Sequence, residues 1–326
     1  MSENHRARSV GIGRAHAKAI LLGEHAVVYG APALALPVPQ LTVTASAGWS
    51  SRTPGDPGGV SFTMTGSPSR PMMTQASDSL SRLTAEFKTA MGVADIPRLD
   101  VIIDGAIPHG RGLGSSAACA RAVVFALADL FGHDLSESAA FDLVQTAENV
   151  AHGRSSGVDA RAVGATAPLR FQAGRASELS IGCDGLFIIA DSGVVGRTKD
   201  AVELLREGFQ RHTGAQERFV RRATQLTDEA GRALAGGRPQ QLGARLTDYH
   251  DLLRAAGLST HRIDALVEAA LTAGSLGAKI TGGGLGGCVI ALTQPVQARE
   301  VTARLHEAGA VQTWAVPLRG LADHAR

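Results

Sequence analysis

The chain has 326 residues, 44% of them hydrophobic but only 4% aromatic, with 39 glycines; that is enough for two domains and a close-packed aliphatic core. Its 32 Lys and Arg nearly cancel 30 Asp and Glu, for a formal net charge of +2, which argues against nucleic acid or a membrane surface as partner. Cys119, Cys183 and Cys288 are widely spaced, with no apolar leader and no run near the ~18 residues that span a bilayer, so buried thiols in a reducing, cytoplasmic compartment are expected.

Residues 10–22 and 34–47 have the alternation and β-branched content of strands. Residues 49–70 are rich in Gly, Pro, Ser and Thr and read as a loop or ragged hairpin. A helix is expected over 77–91 with Asp78 near its start, then a strand over 99–103. Helices follow over 115–131 and 136–152, the second with Ser136 as N-cap, and a Gly/Ser turn at 153–158 leads into Asp159. A strand pair around 169–181 and a short buried strand at 185–190 come next. Helical patterns then occupy 198–213, 216–235, 240–256 and 260–273. Residues 279–280 and 288–292 predict a strand pair around a second glycine cluster, before a helix at 300–308 and a strand at 312–317. Residues 319–326 read as a frayed end. There is no fixed-period repeat, and a composition shift at 173–185 divides the chain into domains 1–180 and 181–326.

The most informative segment is PHGRGLGSSAA, residues 108–118, set between the predicted strand at 99–103 and the helix opening at Ser115. Gly110, Gly112 and Gly114 let the backbone approach an anion, and the unpaired N–H groups at the helix start carry the positive dipole end. A flexible loop capped by a serine is the plainer alternative. No Lys-Ser/Thr follows the last glycine, and Ser115 stands where a dinucleotide fold needs a third glycine, so this is a phosphate loop of a third kind. KAILLGEHAVVYG, residues 18–30, puts Lys18, Glu24 and His25 at a strand end, where solvated turn residues are also common. Glu148 and His152 share one helix face, with pairing to each other or to Arg154 as the dull reading. Five glycines among residues 282–287 of KITGGGLGGC serve no core and suit close approach to a ligand or to the first loop.

GEHAVVYG, GLGSSAA, AEN…HGRSSGVD, IADSGVVGRTKDAV and the 282–287 loop together resemble the GHMP kinases, small-molecule kinases named for galactose, homoserine, mevalonate and phosphomevalonate. GLGSSAA marks the superfamily, while GEHAVVYG and HGRSSGVD are most similar to its mevalonate-phosphorylating branch. The resemblance implies an α/β (α+β) two-lobed fold. Its N-terminal lobe would be like ribosomal protein S5 domain 2 and its C-terminal lobe ferredoxin-like, with ATP and substrate between them. It implies phosphorylation of the C5 hydroxyl of (R)-mevalonate by ATP with Mg²⁺. Gly110, Arg111, Gly112, Leu113, Gly114, Ser115 and Ser116 would wrap the triphosphate, and Ser116 and Glu148 would hold the metal. Asp159 would face the substrate hydroxyl with Lys18 beside it, either taking the proton or orienting the group. Glu24, His25, Thr198 and Gly283 would contact mevalonate. The same resemblance gives no nucleic-acid or membrane partner and leaves room for a homodimer.

Two departures stand out. The family loop usually reads PPGAGLGSS, whereas this chain has His109 and Arg111; Arg111 is read either as an added phosphate contact or as a solvated loop cation. Leu285 interrupts the second glycine run, and leucine tolerates positive φ poorly. A phosphomevalonate kinase should line its substrate side with extra Lys or Arg, and the acidic Glu24 argues against that. A decarboxylase of the same scaffold would lack GEHAVVYG. A non-catalytic ATP-binding regulator would be expected to lose Asp159, Lys18 or the metal carboxylate.

Overall fold

The computed structural model describes residues 9–50, 59–65, 70–93, 98–153 and 155–319, except for the side chains of 70–77 and His152. Its contacts fall into two units. The first comprises Met1–Ala17, Leu41–Ile107 and Ser115–Gly164; the second Lys18–Gln40, Pro108–Gly114 and Ala165–Arg326. Strands β1 (Val10–Leu22) and β2 (Ala33–Trp49) run through both. No helix among the described residues is long and apolar enough to cross a membrane.

In the first unit the later half of β2 pairs antiparallel with β4 (Leu99–Gly105), which pairs parallel with β3 (Val60–Met64). On β4 Leu99, Val101 and Ile103 are buried while Ile102 faces water, the period-2 pattern of a sheet with one covered face. Helices α1 (Arg70–Met91), α2 (Ser115–Phe131) and α3 (Glu137–His152) pack on one another, and the short α4 (Val158–Ala162) rests on α2 and α3. α2 is buried along almost its whole length because its residues are small. Gly11 and Gly13 of β1 complete its seat: a Cβ on either would overlap the backbone of α2 around Ala122 and Ala126. Ser136 caps α3, its hydroxyl accepting from Ala139 N at 3.2 Å, as its position predicts.

In the second unit the start of β2 pairs with β5 (Leu169–Gln172), which turns through Ala173 and Gly174, both at positive φ, into β6 (Arg175–Glu178). A four-stranded antiparallel sheet runs β10-β7-β9-β8, from β7 (Leu186–Asp191), β8 (Gly277–Thr281), β9 (Cys288–Thr293) and β10 (Gln312–Pro317). Every residue of β8 and β9 is buried; β9 accordingly reads as an apolar run, whereas β8 carries Lys279 and Thr281 into the interior. Helices α7 (Pro239–Ala255) and α8 (His261–Thr272) pack on β8, and α9 (Ala298–Glu307) on β7. Helices α5 (Thr198–Arg211) and α6 (Ala215–Ala235) complete the unit.

The elements agree with the sequence reading within a few residues, with two corrections. Part of the segment expected as a loop or ragged hairpin is strand β3, and the helix expected from residue 77 begins at Arg70. The turn residues around Ser67–Pro71 masked that start. Residues 51–58, and 320–326 of the expected frayed end, lie outside the described residues.

Candidate active site

The phosphate-loop segment Pro108–Gly114 belongs to the second unit. Gly110, Gly112 and Gly114 take φ of 68°, 78° and 73°, the left-handed region their sequence positions suggested. The two glycine clusters meet here. A Cβ on Gly112 would lie 2.8 Å from Gly282 Cα, and one on Gly282 would lie 2.5 Å from Gly112 Cα. Lys18, 2% exposed, donates through Nζ to the Gly112 carbonyl at 3.0 Å, and its backbone N–H donates to Leu113 O at 3.0 Å. Two residues further along β1, Ile20 and Thr281 clasp each other: Ile20 N donates to Thr281 Oγ1, which donates to Ile20 O, both at 2.9 Å.

Arg111 is no solvated cation. Its side chain is 16% exposed, and Nε donates to Asp191 at 2.9 Å while Nη2 donates to Gly193 O at 3.1 Å. Asp191 also accepts from Gly193 N at 2.8 Å, and Gly196 N donates to Gly110 O at 2.8 Å. The guanidinium therefore ties the phosphate loop to the turn that follows β7.

Around the GEHAVVYG turn, Glu24 and His25 are 6% and 9% exposed, and His25 sits at φ 62°. Lys279, fully buried on β8, donates through Nζ to Glu24 Oε1 and to Ile280 O, and lies 5.6 Å from the centre of the Tyr249 ring. Tyr249 Oη donates to Glu24 O at 3.0 Å. Among the described residues Glu24 Oε2 and His25 Nε2 are buried without a hydrogen-bond partner. Burial holds the Glu24 carboxyl above its ordinary range, although Lys279 and then Lys18 lower it; burial likewise holds Lys279 below its ordinary range against the opposing pull of Glu24. Burial, reinforced by the Lys279 charge, holds His25 down at about 4, so it is neutral near pH 7.

Thr198, at the start of α5, and the 282–287 loop adjoin this group. A Cβ on Gly283 would overlap the Thr198 side chain, and one on Gly284 would lie 3.3 Å from His25 Nε2. The residues expected to contact substrate, Glu24, His25, Thr198 and Gly283, thus lie together in the second unit beside Lys18 and the phosphate loop. Leu285 does take positive φ, 55°, and its N–H donates to Leu258 O at 3.0 Å. The left-handed conformation that leucine tolerates poorly is adopted here all the same.

The remaining candidates lie in the first unit. Ser115 and Ser116 open α2. Glu148, 3% exposed on α3, faces that end of α2: together with burial its charge drives the Cys119 thiol up to about 12. Asp159 lies in the first turn of α4, whose N-cap Gly157 has φ 91°. All three cysteines are buried free thiols, as expected. Arg154 and the His152 side chain, the alternative partners of Glu148, lie outside the described residues.

The sequence reading did not single out Lys279, Tyr249 or Asp191, which pack against the candidate residues Glu24 and Arg111. One signal for Lys279 was available: a lysine between apolar residues on a strand that is covered on both faces has to find a counter-charge. Nothing in the helical pattern around Tyr249 sets it apart from core.

Residues 78–165 match the family described as GHMP kinases N terminal domain and residues 230–311 that described as GHMP kinases C terminal. The mevalonate kinase of Pyrococcus horikoshii is 32% identical over 313 residues, covering 91% of this chain and 92% of its own. That of Aeropyrum pernix is 32% identical over 285 residues, 84% and 86% of the two chains. Among solved structures, L. major mevalonate kinase in complex with R-mevalonate superposes with a TM-score of 0.80 at 24% identity, covering 97% of this chain and 98% of that one. Streptococcus pneumoniae phosphomevalonate kinase in complex with phosphomevalonate and AMPPNP gives 0.77 at 17% identity, covering 94% and 99%.

Proposed function

The chain belongs to the GHMP kinase family, and from that membership we propose that it moves the γ-phosphoryl group of ATP to the C5 hydroxyl of (R)-mevalonate, giving 5-phosphomevalonate and ADP. The observation that carries this reading is the identity of 32% with mevalonate kinases over nine-tenths of the chain. The chemistry of the Glu24 group agrees with it. A buried carboxylate with one oxygen unpaired accepts a hydrogen bond from a hydroxyl and repels a phosphate, while a neutral imidazole beside it hydrogen-bonds without adding charge. A phosphorylated substrate is disfavoured by the same carboxylate.

Transfer of this kind passes through a loose transition state, so positioning and charge neutralisation carry most of the catalysis. The phosphates lie in the cradle formed by Gly110, Gly112, Leu113, Gly114, Ser115 and Ser116. Arg111 contributes its backbone to that cradle while its side chain braces the loop. Asp159 orients the C5 hydroxyl and receives its proton late, after the oxygen has begun to attack the γ-phosphorus and the bond to the bridging oxygen has loosened. Lys18, held at the Gly112 carbonyl, offsets negative charge on the transferring group. Glu24, His25, Thr198 and Gly283 hold the rest of the substrate.

No group of three or more His, Cys, Asp or Glu gathers into a cation cage among the described residues. Glu148, buried beside the start of α2, and the Ser116 hydroxyl there offer two hard oxygens. They suit a Mg²⁺ ion whose other ligands are phosphate oxygens and water. When bound, the ion neutralises phosphate charge. The site is proposed for the cytoplasm, and the domain division is proposed at 1–180 and 181–326.

The test is Mg²⁺-dependent ADP release against mevalonate, 5-phosphomevalonate, galactose and homoserine, with phosphorus NMR locating the product phosphate. Turnover on mevalonate alone, with phosphate on C5, is expected; turnover on 5-phosphomevalonate instead would transfer the assignment. Asp159→Asn should lower kcat far more than it raises the KM for mevalonate. A loss confined to KM would remove Asp159 from the chemical step.

A further inference from the structure

Lys279 takes no part in the reaction as proposed above, yet it is 0% exposed. An ammonium in such a place must be compensated, and a buried ion pair seldom stabilises a fold better than apolar side chains of the same volume. Its use has to be sought elsewhere. The ammonium has three N–H donors; one goes to Glu24 Oε1, one to Ile280 O, and the group stands over the Tyr249 ring. Tyr249 in turn fixes the Glu24 backbone by donating to its carbonyl at 3.0 Å. Both the carboxylate and the peptide of Glu24 are thereby pinned from one side. Oε2 is left as the unpaired acceptor, next in sequence to the unpaired Nε2 of a neutral His25.

We infer that Lys279 is a positioning residue for substrate recognition: its ammonium keeps the Glu24 carboxylate charged and turned so that Oε2 is presented to a substrate hydroxyl. This rests on the mevalonate reading only for the identity of that hydroxyl. The charged and titratable groups around Glu24 are Lys279 from β8, Lys18 from β1 and Tyr249 from α7; His25 adjoins it, and His250 on α7 feels Lys279 from the other side. His250 is itself held by Asp264 at 3.2 Å, and its Nδ1 accepts from Ile280 N at 3.4 Å. Lys279 is thus the cation in contact with Glu24, and Lys18 acts on both from further off.

Lys279→Met should raise the KM for mevalonate about 10- to 100-fold, the equivalent of one charge-assisted hydrogen bond, with the KM for ATP changed less than about twofold. Without its counter-charge Glu24 keeps its proton to higher pH. Relative to wild type, kcat/KM of Lys279→Met should therefore climb as the pH rises. The climb should vanish in Lys279→Met/Glu24→Gln, which has no carboxyl to titrate. A loss of the same size at every pH, or an equal loss of ATP affinity, would overturn the inference and leave Lys279 a structural pillar. Should Lys279→Met not fold, infrared difference spectra of substrate-free wild type against Glu24→Gln carry the test. They should show an ionised Glu24 at pH 7, and a protonated-carboxyl band there would overturn the inference. That measurement needs no turnover, so an ionised Glu24 in a protein inert toward mevalonate would remove the substrate assignment alone.

Discussion

Replacing Gly112 with alanine would place a methyl group where φ is 78° and where the new carbon would lie 2.8 Å from Gly282 Cα and 2.9 Å from Thr281 O. The left-handed backbone costs an alanine about 1–2 kcal/mol. The overlap is with backbone, which no rotamer change relieves, and overpacking of that kind costs a further ~1–3 kcal/mol. Gly174, in the β5–β6 turn, separates the two effects: its φ is also 78°, but nothing lies within 4 Å of its Cβ position. Gly174→Ala should lose about 1–2 kcal/mol in urea unfolding and leave nucleotide affinity unchanged. Gly112→Ala should either lose about 2–5 kcal/mol or part the two glycine loops. In the second case its affinity for a non-hydrolysable ATP analogue, measured by calorimetry, should fall about 5- to 150-fold. If the two variants matched in both stability and nucleotide affinity, the close approach of the loops would have no energetic weight and the argument would fail.

The Arg111–Asp191 clamp predicts a strongly non-additive cycle. Arg111→Met and Asp191→Asn should each destabilise by about 2–4 kcal/mol, and the double variant by about 1–3 kcal/mol less than their sum. Arg111→Lys should not restore the loss, because an ammonium cannot span Asp191 and the Gly193 carbonyl as a guanidinium does. Were the side chain solely a phosphate ligand, Asp191→Asn would leave ATP binding intact. His25 supplies a pH dependence of known sign. Its imidazole titrates at about 4 in the folded protein against 6.5 ordinarily, so the unfolded chain binds the proton more readily. The stabilisation is full above about pH 6.5 and is lost as the pH falls through about 4; at about 1.36 kcal/mol per pH unit it amounts to ~3 kcal/mol. His25→Gln should flatten the fall in urea midpoint between pH 7 and 4, and an unchanged slope would show that His25 is not the group responsible.

The elements whose signal is local were legible in the sequence. Ser136 announces α3 through its cap, the unbroken apolar runs announce β7 and β9, and three glycines with two serines announce the left-handed glycine loop and the start of α2. What escaped depends on partners far along the chain. β3, held by five residues of pairing with β4, has the alternation of a strand in Val60–Met64, but the Gly, Pro and Ser on either side conceal so short a run. Lys279 meets Glu24 across 255 positions, and Arg111 meets Asp191 across 80. Thus Glu24 was singled out by its motif, but the lysine it pairs with was not. Likewise both alternatives for the Arg111 side chain concerned solvent or ligand, and neither foresaw a carboxylate of the same chain.

The interleaving of the two units has a consequence for the growing chain. Ser115–Gly164, including α2 and its seat on Gly11 and Gly13, emerges in the first half of synthesis. The loop just before it, Pro108–Gly114, emerges earlier still and has Lys18 as an early partner, yet its other packing partners, Asp191, Val195 and Gly282, come much later. A nascent chain stopped near residue 180 therefore carries the loop with Lys18 but without Asp191, Val195 and Gly282, which complete its packing. The packing of this loop is complete only once the strand pair flanking Gly282 has left the ribosome, so its shape belongs to the finished molecule and not to the half-made one.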